Sequence, residues 1–206
     1  MPSPIAHSLV GLAIGRMAQP KGLRSTLGWF GFALFSSNAP DLDFLAGLVF
    51  EGINDFHRGS SHTLLAAVVY GLVSAVALQL VRWKFWPTFF TATALYSSHV
   101  LLDACTGDVN HGAGARLLWP FSDHVYASPW LIFRGIRHGH AGDSLATFVR
   151  ELATRDNVVH LQYELLLSLP ILLVAYYFFH CPFRAARRSA TGSTPNGRSD
   201  ANVAET

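Results

Sequence analysis

Tyr96-Ser97-Ser98-His99-Val100-Leu101-Leu102-Asp103-Ala104-Cys105-Thr106-Gly107 closes a long apolar run, and its reading decides the rest of the chain. His99 and Asp103 stand four residues apart, so on a helix they project from one face about one turn from each other. That spacing suits two ligands of one metal ion. The run before them, Phe85 to Leu102, carries no charged side chain. An ionisable pair at the end of such a run is costly unless it has partners. The partners should therefore be found elsewhere in the chain.

The composition says what surrounds them. Of 206 residues, 50% are hydrophobic and only 14% charged, which with a positive mean hydropathy places the chain in a membrane, most simply as one domain. Fifteen basic against 13 acidic side chains give a net charge of +2, and no dense basic run precedes the C-terminal tail, so a nucleic-acid partner is excluded. The two cysteines, Cys105 and Cys181, make neither a metal-binding spacing nor a disulfide framework. Ten histidines are many for so apolar a chain, and histidine is a common metal ligand that seldom serves as filler.

On the N-terminal side, Ile5 to Gly15 and Leu27 to Ala39 are short apolar segments, below the span of about 20 residues that crosses a bilayer. The first contains His7, and the basic turn Arg16 to Arg24 separates the two. The second ends in Asn38-Ala39-Pro40-Asp41-Leu42-Asp43, where Pro40 stops the helix and two carboxylates follow. Asn-x-Pro-Asp is also ordinary turn and capping chemistry, but two carboxylates beside an apolar segment favour ligands. Phe44 to Phe50 reads as a short interfacial helix. His57-Arg58-Gly59-Ser60-Ser61-His62-Thr63 leads into the clearest membrane helix, Ser61 to Val81, with Ser60 or Ser61 as its cap and His62 in its first turn. The basic turn Arg82 to Lys84 follows, and Phe85 to Asp103 returns.

On the C-terminal side, Ala104 to His160 reads as a long irregular loop with an apolar stretch, Leu117 to His124, at or in the membrane interface, and an amphipathic helix over Asp143 to Thr154. Leu165 to Phe183 is the last span, and residues 184–206 form a basic, unstructured tail after a single domain over 1–183. His111, His124, His138, His140 and His160 read as surface or loop histidines. The fold class expected is all-α: a polytopic helical membrane protein with about five membrane segments, the first two short.

With the three short basic flanks in the cytoplasm, the positive-inside rule brings His7, Asp41, Asp43, His57, His62, His99 and Asp103 to the opposite, extracytoplasmic face. Four imidazoles and three carboxylates exceed the needs of one zinc ion. Such a set suits zinc, with manganese, iron and nickel as alternatives, and has room for two ions. Without thiolates and close to water it fits hydrolytic catalysis better than a closed structural site. Arg58 is the candidate for holding an anionic group such as phosphate, and Asp103 joins it as a catalytic candidate.

Taken together, His7, Pro40-Asp41-Leu42-Asp43, His57-Arg58-x-x-Ser61-His62, His99-x-x-x-Asp103 and Gly114 with Leu118-x-Pro120-Phe121-Ser122-Asp123 resemble the YdjM-like family of LexA-regulated, membrane-bound, predicted metal-dependent hydrolases. The resemblance covers about residues 1 to 150. It implies a multi-pass inner-membrane protein with a hydrolase site, carries the ligand roles onto the seven residues above, and adds Asp123 near the site. A fainter likeness to helical zinc-dependent phospholipases and nucleases points to a lipid or lipid-linked phosphoester in the bilayer as substrate. Two other readings stay open: a metal transporter or sensor, which would need ligands on both faces, and a scaffold whose His and Asp only hydrogen-bond at the interface.

Overall fold

A computed structural model describes residues 2–20, 25–49, 57, 59–107, 114–139 and 143–191. Ser3 opens helix α1 (Pro4–Met17) by accepting from the Ala6 N–H, with Pro4 at the first helical position, where its missing N–H costs nothing. Ser25 caps α2 (Thr26–Asn38) in the same way. Pro40 ends α2 as expected, and the chain tightens into a 3-10 turn (Ala39–Leu42) before the short α3 (Asp43–Val49). Helices α4 (Leu64–Leu78) and α5 (Phe85–Ala104) form an antiparallel hairpin through the turn at Gln79–Val81.

The cap of α4 differs from the expectation. Thr63, not Ser60 or Ser61, accepts from the Ala66 N–H at 3.0 Å, and its hydroxyl also donates to the Ser60 carbonyl. Ser61 is otherwise engaged, donating to Asp43, so His62 precedes the helix instead of lying in its first turn.

The helices pack through small residues. Besides His7, the buried positions are Ala6, Gly11, Ala13 and Gly15 on α1 and Ala67, Gly71 and Ala75 on α4. A Cβ at Gly15 would stand 2.6 Å from the Ala33 Cβ of α2, and one at Gly71 would overlap the Thr93 hydroxyl and press on the Phe89 carbonyl of α5. Trp29 closes the α1–α2 contact, donating from Nε1 to the Gly15 carbonyl at 2.7 Å. Meanwhile the large residues of α4, Val68, Val69, Leu72, Val73 and Val76, point outward. Small inside and large apolar outside is the arrangement of helices solvated by lipid.

Among the described residues two helical stretches, Leu64–Val81 and Arg155–Val174, are long and apolar enough to cross a membrane. The expected five segments are not confirmed by that measure. Helices α1 and α2, with 14 and 13 residues, are shorter than the hydrocarbon core needs. Helix α5 has the length, at 20 residues, but its inner face is polar, with Thr88, Thr91, His99 and Asp103 all buried.

After α5 the chain is irregular, as expected, but it is tied down. Strands β1 (Thr106–Gly107) and β2 (Phe133–Arg134) pair in parallel, and the Ser128 N–H bonds the Ala104 carbonyl at the end of α5. Helix α6 (Leu145–Leu152) matches the expected amphipathic helix, capped by Ser144. The last helix, α7 (Arg155–Thr191), is longer than expected at both ends: it begins ten residues before Leu165, runs through Pro170 and Pro182, and continues into the stretch expected as tail.

A side chain on Gly71 should therefore split the α4–α5 hairpin. Gly71→Val is expected to destabilise the detergent-solubilised protein by about 1–3 kcal/mol or more, whereas Gly31→Ala, where nothing lies within 4 Å, should hold or raise stability. Thermal unfolding followed by circular dichroism compares them.

Candidate metal centre

Four stretches of chain converge. Helix α5 presents His99 and Asp103 from its last turns, both fully buried, and α1 presents His7 from its first turn, also buried. The 3-10 turn that Pro40 forces after α2 delivers Asp41, and Asp43 opens α3. His57 and His62 come from the approach to α4. The co-facial placement read from the topology is thus what the structure brings together.

The orientation of each imidazole can be derived. His99 Nδ1 lies 2.8 Å from the Ser37 carbonyl oxygen. A carbonyl only accepts, so Nδ1 carries the proton, and the Nε2 lone pair faces Asp41 Oδ1 at 3.3 Å and Asp103 Oδ2 at 3.7 Å. For His62, Nδ1 is 3.2 Å from Asp43 Oδ2 and 3.0 Å from the Ser61 hydroxyl, whose own proton goes to Asp43 at 2.7 Å. His62 Nδ1 is therefore the donor. Its Nε2 faces Asp103 Oδ2 at 3.3 Å and Asp41 Oδ1 at 3.5 Å. His7 stacks on His99 with ring centres 3.6 Å apart and brings Nε2 to 3.7 Å from Asp103 Oδ1.

The contacts of the Nε2 atoms with Asp41 and Asp103 are not hydrogen bonds. His7 Nδ1 and Nε2, His62 Nε2, His99 Nε2 and both oxygens of Asp41 and Asp103 are buried and have no hydrogen-bond partner. Acceptors that face one another out of water need a positive charge between them. Two ligands held at about 2.05 Å by a tetrahedral ion stand about 3.3 Å apart, which is the separation found here. The residues present thus fit a divalent cation. Among the described residues, three overlapping groups bring their ligand atoms within 4.8 Å of one another and could hold an ion: His7, His99 and Asp103; Asp41, His62 and His99; and Asp43, His57 and His62.

The charges around the turn follow from the same contacts. Burial opposes ionisation of Asp43, but hydrogen bonds with His57 and His62 outweigh it and hold the carboxyl down at about 2. Asp41 behaves alike: burial is overruled by His99 and His62, and it stays well below the carboxylate range. Burial lowers His57, with Asp43 only partly opposing. Burial opposes a charge on His62, but the carboxylates of Asp103, Asp41 and Asp43 that face it outweigh burial and raise it well above the usual value. A proton on His62 and a divalent ion compete for the same carboxylates.

Not every expected residue belongs here. Asp123 is exposed on its loop and joins none of the three groups, and His124 is likewise exposed, with its ring against Tyr126. Arg58, His111 and His140 lie outside the described residues. His138, expected at the surface, is buried, with its ring centre 5.3 Å from that of His57 and 5.9 Å from that of Phe44. Nothing in its polar sequence surroundings signals this; the backbone of the neighbouring Arg137 is tied to Asn157 of α7. Glu164, fully buried on α7, was also missed. Its signal is the polar series His160, Glu164, Ser168 at one-turn intervals in an apolar run.

Ser61 supports both Asp43 and His62, so its hydroxyl is worth testing. Ser61→Ala is expected to weaken divalent-metal affinity by about 10- to 100-fold with helix content unchanged, as read by titration against a chromogenic chelator. Wild-type affinity in this variant would contradict the assigned support.

Comparison with known proteins gives a consistent result. The family described as YdjM inner membrane protein matches residues 1–185. The inner membrane protein YbcI of Escherichia coli (strain K12) is 32% identical over 143 residues, 65% of this chain and 76% of that protein. No solved structure matches. With two helices able to cross a membrane and a match over nearly its whole described length, the chain belongs to the YdjM inner membrane protein family and resides in the inner membrane.

Proposed function

We propose that the chain is a membrane-bound, metal-dependent hydrolase acting on a lipid-linked or interfacial ester, with a phosphoester as the leading class. The observation that carries this reading is the set of buried, unpartnered acceptors from His7, Asp41, His62, His99 and Asp103. A divalent cation bound there, zinc first by its ligand set, would supply Lewis-acid activation of water and of a phosphoryl or carbonyl oxygen.

The remaining chemistry belongs to the protein. His62 Nδ1 is committed to Asp43 and Ser61, so one ion at the Nε2 side is favoured over two, with Asp43 orienting His62 from behind. His57, held by Asp43 at 3.1 Å, borders that ion site. Arg58, next in sequence, remains the candidate for holding an anionic group. Asp103, fully buried, and Asp41 share the negative charge that would face the ion.

An amphiphilic substrate is supported by the loop after α5. Phe121 and Trp130 are 83% and 78% exposed, beside exposed Leu131 and Ile132. Exposed aromatic and aliphatic side chains on one loop match a headgroup-level anchor. The Leu64 N–H bonds the Leu117 carbonyl, so this loop is fastened to the approach that carries His62. The polytopic arrangement of five segments, with α1 and α2 short and the site at the extracytoplasmic face, belongs to the same proposal and is supported by the basic turn at Arg82 and Lys84, at the far end of the hairpin from the site.

Elemental analysis of the purified protein should find about one transition metal per chain. His99→Ala and Asp103→Asn should each lose it while circular dichroism keeps the helices, and normal metal content in both would sink the proposal. Chromogenic phosphoesters in detergent micelles should be turned over by the wild type, stopped by a chelator and restored by zinc. Tight metal without turnover of any ester would point to a transporter or sensor.

A further inference from the structure

Helix α7 supplies none of the seven candidate ligands, yet it buries polar groups against the rest of the fold. Asn157 accepts from the Arg137 N–H at 2.8 Å and donates to the Arg137 carbonyl at 2.7 Å. Two turns further on, Glu164 is fully buried, and its Oε2 accepts from the Ser3 N–H at 2.8 Å. Ser3 is the N-cap of α1, whose N-terminal N–H groups have no partners within the helix, and a carboxylate is favoured at that end.

His7 lies one turn beyond. Its N–H bonds the Ser3 carbonyl at 3.3 Å, so the cap and the imidazole belong to the same turn. His99 is aimed by Ser37, and His62 by Asp43 and Ser61. His7 has no such bond at either ring nitrogen, although it is buried. Its position is set by its stack on His99 and by where the first turn of α1 stands.

We infer that Glu164 is a positioning residue for the metal centre: by holding the N-cap of α1 it fixes the turn that presents His7 to the ion. The inference rests on the metal reading above. A hydrophobic residue at 164 would leave the Ser3 N–H buried and unbonded, and the turn would shift to find a partner. A glutamine keeps an oxygen acceptor in the same place.

The test uses the full chain in detergent, with cobalt(II) as the probe of affinity and of its visible absorption, which reports ligand geometry. Glu164→Leu is expected to lose about 10- to 100-fold in affinity and to change the cobalt spectrum, and Glu164→Gln to retain both. Ser3→Pro removes the same N–H from the other side, at a residue whose φ of −71° and ψ of 159° already suit proline. It should reproduce the Glu164→Leu effect, while Ser3→Ala, which loses only the hydroxyl, should stay close to wild type. Should Glu164→Leu fail to fold, the Ser3 pair carries the test.

Unchanged affinity and spectrum in Glu164→Leu or in Ser3→Pro would overturn the inference, as would equal damage from Glu164→Gln and Glu164→Leu. A wild-type protein that binds no cobalt would instead remove the metal reading itself, and this inference with it.

Discussion

The hydrogen bond from His99 to the Ser37 carbonyl is the constraint on which the centre depends. The last carbonyls of a helix have no partner within it, and Ser37 lies in the last turn of α2. Pro40, three residues on, cannot continue the helix. His99 supplies the missing donor from α5, at 2.8 Å. One bond thus satisfies the end of one helix, docks it on another, and settles which nitrogen of His99 is left to face the carboxylates. The same proline turn swings Asp41 into reach, so helix termination and ligand placement are a single event.

Packing in the rest of the fold serves close approach. Helices that meet through alanine and glycine bring their backbones close together, and Tyr96 of α5 reaches the Ser61 carbonyl in the approach to α4 at 2.8 Å. Bulky residues on these inner faces would hold the helices apart, and the imidazoles and carboxylates would no longer share a point. The large apolar residues are instead displayed outward, where lipid receives them. Lipid outside and small residues inside are therefore prerequisites of the polar cluster.

Much of this was legible in the sequence because ligands at helix ends follow from simple periodicity and from the charge asymmetry of short loops. His99 and Asp103 fall on one face at a spacing of four, and the basic turns sort the segment ends into two sets. What escaped depends on contacts distant in the chain. Thr63 and Ser61 are chemically alike as caps, and only the demand of Asp43 on Ser61 decides between them. Asp123 stands in a motif but on an exposed loop. His138 is buried against His57 and Phe44, contacts distant in the chain that leave no periodic signal. The helix expected from Leu165 begins at Arg155, so Glu164 falls inside it, and nothing local marks that start.

Exposure in the cluster is one-sided. The side chains of His7, His62, His99 and Asp103 are fully covered, while that of Asp41 is 13% open. Among the described residues the centre is most open at the turn after α2, where the Asp43 side chain is also 8% exposed. An ion held there would leave past the carboxylates of that turn, and a molecule reaching it would approach across Pro40.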